Sequence, residues 1–275
     1  MARIESLNML LEQGGKDYLA EEYGKVIENI EKSTISGSLK NTDLSGTPAA
    51  GSVEAKRFVN AASKDYGTAR SANKGDTVKA KPVVISINID KEIIEEIEEK
   101  DVSLYGVDSV VARRVANHGK TMVRDLEKAF FAEAATAGAA LETDATAINE
   151  KVEALIQQIE NTKNEYVDGV DRDMIAVVCD TATYGALRAF LDTTANANVG
   201  TDAADFGRFH GVKVYSTVYL PSGVSALGMV EGAVAQPVLP SVANPEKIQL
   251  SNAIGFGVFY SYGTKAVMPD LIAKF

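Results

Sequence analysis

Three short stretches carry residue types that could do chemistry. Gly119-Lys120-Thr121 has the ending of a phosphate-binding loop, in which backbone amides wrap a phosphate and the lysine neutralises it. That loop also needs a glycine where Arg114 stands, and a strand before it, whereas this triplet lies inside a helical pattern. It is read as a chance match. Cys179 is a possible nucleophile, but it closes the apolar run Val177-Val178, the setting of a buried and inert thiol. Only His118 and His210 could supply it with a base. His118 sits near the apolar side of a helical stretch and His210 lies between Phe209 and Gly211, so structural roles are expected for both. Asp171-Arg172-Asp173 reads as a turn with satisfied carboxylates. Gly255-Phe256-Gly257 reads as a bulge or a close-packing point in a strand. One cysteine excludes an internal disulfide framework and a cysteine-based zinc cluster. No catalytic, cofactor-binding or metal site is expected, and no cofactor.

The informative charges are segregated rather than catalytic. Between residues 52 and 81 there are seven basic side chains against three acidic ones, a net of +4. Between 90 and 101 the sequence DKEIIEEIEEKD has seven acidic and two basic residues, a net of -5. The whole chain of 275 residues carries -10, which argues against a protein that seeks nucleic acid with its entire surface. Hydrophobic residues make up 45%, enough to bury a sizeable core. No apolar run is long enough to span a membrane and no signal peptide is legible, so a cytoplasmic site of synthesis and action is expected.

Stepping along the chain, residues 4–32 read as two helical pieces broken at Gly14-Gly15, the second with Leu19, Tyr23, Val26, Ile27 and Ile30 on one face. Residues 36–52 form a connector rich in Gly, Ser, Thr and Pro. The arm's apolar stripe needs a partner, its own domain or another. Two strand-like runs then flank a polar tip at 63–76, a long hairpin with little core of its own. Such a hairpin is marginal in water and is best ordered against an acidic neighbour.

Residues 107–137 follow, with Val107, Val111, Val115, Met122, Leu126 and Phe130 at helical spacing, Asp108 and Ser109 at the start and Gly138 as the stop. Such a helix would be about 45 Å long, against a radius of gyration near ~19 Å for a compact chain of this size. A second helix is expected from about Ile148 to Asn164, then a strand at 174–180 and a helix at 181–192, the opening of an α/β layer. Residues 193–207 read as an exposed loop. Residues 208–240 read as two paired strands around Pro221-Ser222-Gly223, and the C-terminus has strand composition.

Arm, linker, basic hairpin, very long helix, α/β layer and strand-rich return follow an order that resembles the major capsid proteins of tailed bacteriophages with the HK97-type fold. Residues 53–90 look like the extended E-loop of that family, and the acidic run leads from it toward the spine helix at 107–137. MIAVVCDTATYGALRAF is similar to the axial domain's strand-then-helix, GRFHGVKVYSTVYLP is the most specific piece, and KAVMPDLIAKF looks like the closing strand of the peripheral domain. The resemblance implies an α+β, HK97-like fold in five parts. Residues 1–51 would be the N-terminal arm and linker, and 52–101 the extended hairpin with its acidic lead-in. Residues 102–147 would hold the spine helix of the peripheral domain, 148–240 the axial α/β domain, and 241–275 strands returning to the peripheral domain.

It further implies a structural protein, not an enzyme, that assembles as hexamers and pentamers into an icosahedral head enclosing double-stranded DNA without sequence specificity. Scaffolding and portal proteins would be partners, with no membrane. The protein would reside in the virion after assembly in the host bacterial cytoplasm. Arg57, Lys64, Arg70 and Lys74 are expected to meet a neighbour's Glu92, Glu95, Glu96 and Glu99, the loop at 196–206 to line an axis, and the arm to reach a further neighbour. Lys64 and Lys74 lie in the arm that some relatives cross-link, but no asparagine partner is identifiable, so that chemistry is not carried over. The alternatives are an encapsulin-type compartment shell of the same fold and, from another class, a cytoplasmic hydrolase using Cys179.

Overall fold

A helix of 31 residues, Val107–Ala137, runs through the structure as the apolar spacing requires. Its buried positions Val107, Val111, Val115, His118, Met122, Leu126 and Phe130 step three or four residues at a time along one face. The start lies earlier than the polar pair suggested. Gly106, at φ 76°, holds the N-cap, and Asp108 sits in the first turn, where its charge complements the helix dipole. Gly138 ends the helix with an ordinary φ of -71°. Its smallness matters for packing, because a side chain there would meet Ile272 at 2.8 Å. The computed structural model describes residues 6–72, 74–102, 106–193 and 207–275.

In chain order, a 3-10 turn at Leu7–Leu11 leads into α1 (Gln13–Ser33) and the single-turn α2 (Ile35–Leu39). β1 (Ser52–Phe58) and β2 (Ala80–Ser86) pair antiparallel around a tip that holds α3 (Thr68–Ala72). β3 (Ile89–Ile97) and α4 (Glu99–Val102) precede the long helix, α5. Then come β4 (Ala139–Ala140), α6 (Ile148–Glu160), β5 (Ile175–Cys179) and α7 (Thr181–Thr193). β6 (Arg208–Phe209), β7 (Val212–Ser216), β8 (Ala226–Val230), β9 (Val234–Ala235) and β10 (Val238–Val242) follow. The chain closes with β11 (Glu246–Lys247), β12 (Ile254–Tyr262), β13 (Lys265–Ala266) and β14 (Ile272–Lys274).

Two sheets lie along α5. In the first, β12 is central, with β3 antiparallel on one side and β10 and β11 on the other. Its inner residues Ile254, Phe256 and Val258 pack on Val107, Val111 and Val115, and Tyr260 and Tyr262 pack on Met122 and Leu126. The second sheet is mixed and six-stranded, in the order β4-β14-β8-β5-β7-β6. Alternation along β5 sends Ile175, Val177 and Cys179 toward α6 and α7, and Ala176 and Val178 toward Phe130, Phe131 and Ala134 at the end of α5. The long helix therefore fastens one sheet along Val107–Leu126 and the other with its last turns.

Three expectations change. Residues 208–240 do not form a pair of neighbouring strands: β7 runs parallel to β5 and β8 antiparallel to it, so β5 separates them. An all-apolar strand buried on both faces takes the middle place, which local sequence around Pro221 could not reveal. The final residues do not stay beside β12. β14 joins the six-stranded sheet, pairing with β8 and β4. The arm packs on its own chain, with Leu19, Tyr23, Val26 and Ile30 of α1 against α5, and its helix breaks before Gln13, not at Gly14-Gly15. The loop expected at 196–206 lies outside the described residues.

Candidate functional site

The residues that could do chemistry are built into the scaffold. Gly119 is mid-helix, where a Cβ would lie 2.2 Å from Cγ1 of Val26, so its bare backbone lets α1 approach α5. That is a packing glycine, not a phosphate cradle. Cys179 is fully buried, and burial followed by the nearby Asp180 charge pushes its thiol up to about 12, far from a nucleophilic thiolate. The side chain of His118 is buried. Its Nδ1 shares a hydrogen bond with the Tyr23 hydroxyl at 2.7 Å, and its Nε2 lies 3.0 Å from Glu95 Oε2, out of line for a well-formed hydrogen bond. Burial outweighs the attraction of Glu95 and lowers its pKa, which favours the neutral ring. His210, at φ 46°, forms the tight β6–β7 turn with Gly211 and bonds Glu153 at 2.8 Å. Arg172 ties Glu153 and Glu160 of α6 to that turn at 2.7 Å each. Among the described residues no cluster of His, Cys, Asp or Glu is placed to hold a metal, and no helix is long and apolar enough to cross a membrane.

The hairpin is moored at its base. Arg57 makes paired hydrogen bonds to Asp270, with Nη2 to Oδ2 at 2.6 Å, and its guanidinium lies 4.3 Å over the Tyr166 ring. Asn164 donates to the same carboxylate, and Asn60 N–H reaches Glu165 O at 2.9 Å. Burial alone would raise the Asp270 carboxyl, but hydrogen bonds from Arg57 and Asn164 outweigh it and hold it below its ordinary value. Behind the clamp, Val53, Ala55 and Ile85 pack on Ala235 and Val267. Farther out the tip is solvated. Lys64 pairs with Asp76 at 2.7 Å within the tip, Lys74, Lys79 and Lys81 are exposed, and the side chain of Arg70 lies outside the described part. Phe58, Tyr66, Val78 and Val84 are exposed among these cations.

The acidic run is a strand for most of its length, and its period of two divides the candidates. Glu92, Ile94 and Glu96 point to the open face of the β12 sheet, while Ile93, Glu95 and Ile97 face α5. Glu95 is therefore engaged internally: Arg114 holds both its oxygens, Nε to Oε2 at 2.6 Å, and this bond first of all keeps its carboxyl below the ordinary range. Glu99 lies on α4, exposed. Leu239 and Phe259 share the open face and are exposed with Ile94. Sequence reading treated these acids as one patch because it took the run as a lead-in. Strand alternation was the signal that separates them.

A residue the sequence reading passed over links the arm to the long helix. Glu127 of α5 is buried and accepts from Ser36 N–H at 2.8 Å, at the start of α2. Burial outweighs that bond and raises its pKa. A raised folded value means its destabilising ionisation sets in as pH climbs from the unfolded value near ~4.3 through the folded one. Glu127→Gln keeps an acceptor without the charge. Thermal melts from pH 5 to 9 should show the variant gaining on wild type as pH rises, with the difference vanishing in acid. A constant difference across pH would contradict the assignment.

The sequence model of the phage capsid protein family matches residues 88–274. No curated protein matches the chain significantly. Among solved structures, one from Mycobacterium phage Che8 is similar at TM-score 0.60 and 20% identity, covering 82% of this chain and 84% of that one. The capsid structure of Cyanophage P-SCSP1u is similar at TM-score 0.61 and 14% identity, covering 88% and 87%. A virus-like particle from Pyrococcus furiosus is similar at TM-score 0.59 and 12% identity, covering 94% and 99%.

Proposed function

The chain belongs to the phage capsid protein family with the HK97-type fold, and we propose that it builds an icosahedral tailed-phage head around double-stranded DNA. It is a structural major capsid protein, not an enzyme; it assembles with copies of itself into a shell and resides in the virion. The proposal adds the finer parts. Hexamers and pentamers close the shell, a scaffolding protein and a portal take part, assembly runs in the host bacterial cytoplasm, and DNA is enclosed without sequence specificity. The five-part division into arm, hairpin, spine, axial and returning segments is proposed on the same footing, with the last strand shared with the axial sheet. The encapsulin-type compartment is less favoured, because the matching family is a phage one.

One observation supports the way neighbours meet. The hairpin offers Lys74, Lys79 and Lys81 among exposed Phe58, Val78 and Val84; the open face of the β12 sheet offers Glu92 and Glu96 among exposed Ile94, Leu239 and Phe259. Cations around apolar residues complement acids around apolar residues, the composition of a wet-rimmed interface with a dry centre. Docking the hairpin of one subunit on the sheet of the next would bury both. Lys74→Glu, Lys79→Glu and Lys81→Glu together should leave monomers folded by circular dichroism but remove shells from negative-stain images. Adding Glu92→Lys and Glu96→Lys should restore shells. Normal shells from the triple variant alone would sink this contact.

A further inference from the structure

We infer that the exposed face of α5 is the surface this shell turns toward nucleic acid, where it contacts the phosphate backbone; this rests on the capsid reading. Arg113, Asn117, Lys120, Arg124 and Lys128 are exposed and recur at steps of four, three, four and four, which places them in one stripe. The stripe is about 22 Å long at 1.5 Å per residue. It lies opposite Val111, Val115, Met122 and Leu126, which bury the other face.

No acid interrupts the stripe, and the neighbouring acids are occupied. Asp125 accepts from the Tyr260 hydroxyl at 2.9 Å and lies 3.6 Å from Arg124, Glu127 is buried on Ser36, and Glu21 and Glu22 of α1 are held by Lys25 at 2.8 Å. Lys120 and Lys128 have no ion-pair partner among the described residues. On a chain of net charge -10 this is a strong local reversal. The open face of the β12 sheet, on the far side of that sheet from α5, carries Asp90, Glu92 and Glu96 instead. The subunit is thus two-sided in charge, and a closed shell must turn one side inward.

The chemistry of the stripe selects its partner. A protein interface needs an apolar centre, and the stripe itself offers only cations and Asn117; the apolar groove of Val26, Ala116, Val123 and Tyr219 lies to one side of it, touching the stripe at Lys120 alone. A phosphate backbone needs only cations at its surface. Duplex DNA carries about one charge per 1.7 Å, so up to four cations release counterions and give a salt slope of roughly -3 to -4 in log K against log salt. That contact is sequence-independent and weakens by about 10²-fold between 50 and 200 mM salt. It suits a duplex that must slide as it is packed.

The test uses full-length protein as unassembled subunits and as shells. Fluorescence anisotropy with a short labelled duplex should give wild-type subunits a salt slope near that estimate. Lys120→Gln, Arg124→Gln and Lys128→Gln together should reduce its magnitude by about 3 and cut low-salt affinity by 10²-fold or more, with shells forming normally. Lys120→Arg with Lys128→Arg should bind as wild type. Wild-type subunits that ignore DNA, or an unchanged slope in the triple variant, would overturn the inference while shells in both proteins leave the capsid reading intact. Loss of shells in the triple variant, with the subunit folded, would overturn it in favour of an acidic neighbour. An equal loss of slope on removing Lys56, Lys79 and Lys81 would also overturn it. Wild-type protein that never forms shells would count against the capsid reading itself.

Discussion

Arg57→Glu is expected to leave a folded subunit that no longer makes shells. A two-stranded hairpin is marginally stable in water, so its direction depends on what holds its base. Here that is the Arg57–Asp270 pair, the Tyr166 ring beneath the guanidinium, and the small cluster of Val53, Ala55 and Ile85 on Ala235 and Val267. The Arg57 side chain is only 11% exposed, so reversal sets two carboxylates together in a poorly solvated place. Breaking such a partly buried pair costs about 2–3 kcal/mol, less than a fully buried one. None of the larger clusters around α5 or β5 includes Arg57, so circular dichroism should change little while light scattering and negative stain report monomers. The swap Arg57→Asp with Asp270→Arg should restore shells. A contact from Arg57 to a neighbour's acid, as charge alone suggested, would not be rescued by a change at Asp270.

The same clamp sets a pH dependence. The folded pKa of Asp270 is depressed, so its stabilising share is complete above the unfolded value near ~3.9 and is lost as pH falls through the folded value. Glu127 acts in the opposite sense, its cost growing as pH rises. The hairpin base therefore loosens in acid while the arm's tie to α5 tightens.

What the sequence made legible follows from period and length. The long helix was readable because six apolar positions at helical spacing admit no strand reading, although the polar pair misplaced its cap. The hairpin was readable from its two runs and polar tip, and β5 followed by α7 from an apolar run and a polar start. What failed was non-local. That β5 inserts between β7 and β8, or that β14 crosses to the second sheet, depends on which strands find each other at long separation. The partner of Arg57 within the chain was missed for the same reason: Asp270 is 213 residues away, whereas the acidic run is near in sequence. Glu127 drew no notice because helical spacing alone does not tell that α2 covers it.

Gly257→Val should have the largest effect on stability, because the atoms it would strike cannot rotate away. A Cβ at 257 would lie 2.2 Å from Ile93 O and 2.9 Å from Ile94 Cα, both backbone of the neighbouring strand. Gly257 pairs with Ile94 in register, in the central strand of its sheet. Relief requires β3 to move off, which breaks ladder bonds and opens the core where Phe256 and Val258 pack on Val111 and Val115. A loss above ~4 kcal/mol is expected, a fall in Tm of about 10 °C or more. Gly255→Ala is the control: its nearest contact is the side-chain end of Ile248 at 3.3 Å, which can shift, so about 1 kcal/mol is expected. Equal melting of the two variants would refute the backbone clash. The distinction matters for assembly as well as for folding. Glu92, Ile94 and Glu96 reach the open face only while β3 stays zipped to β12, so the acceptor surface for a neighbour's hairpin depends on a glycine that faces the strand carrying it.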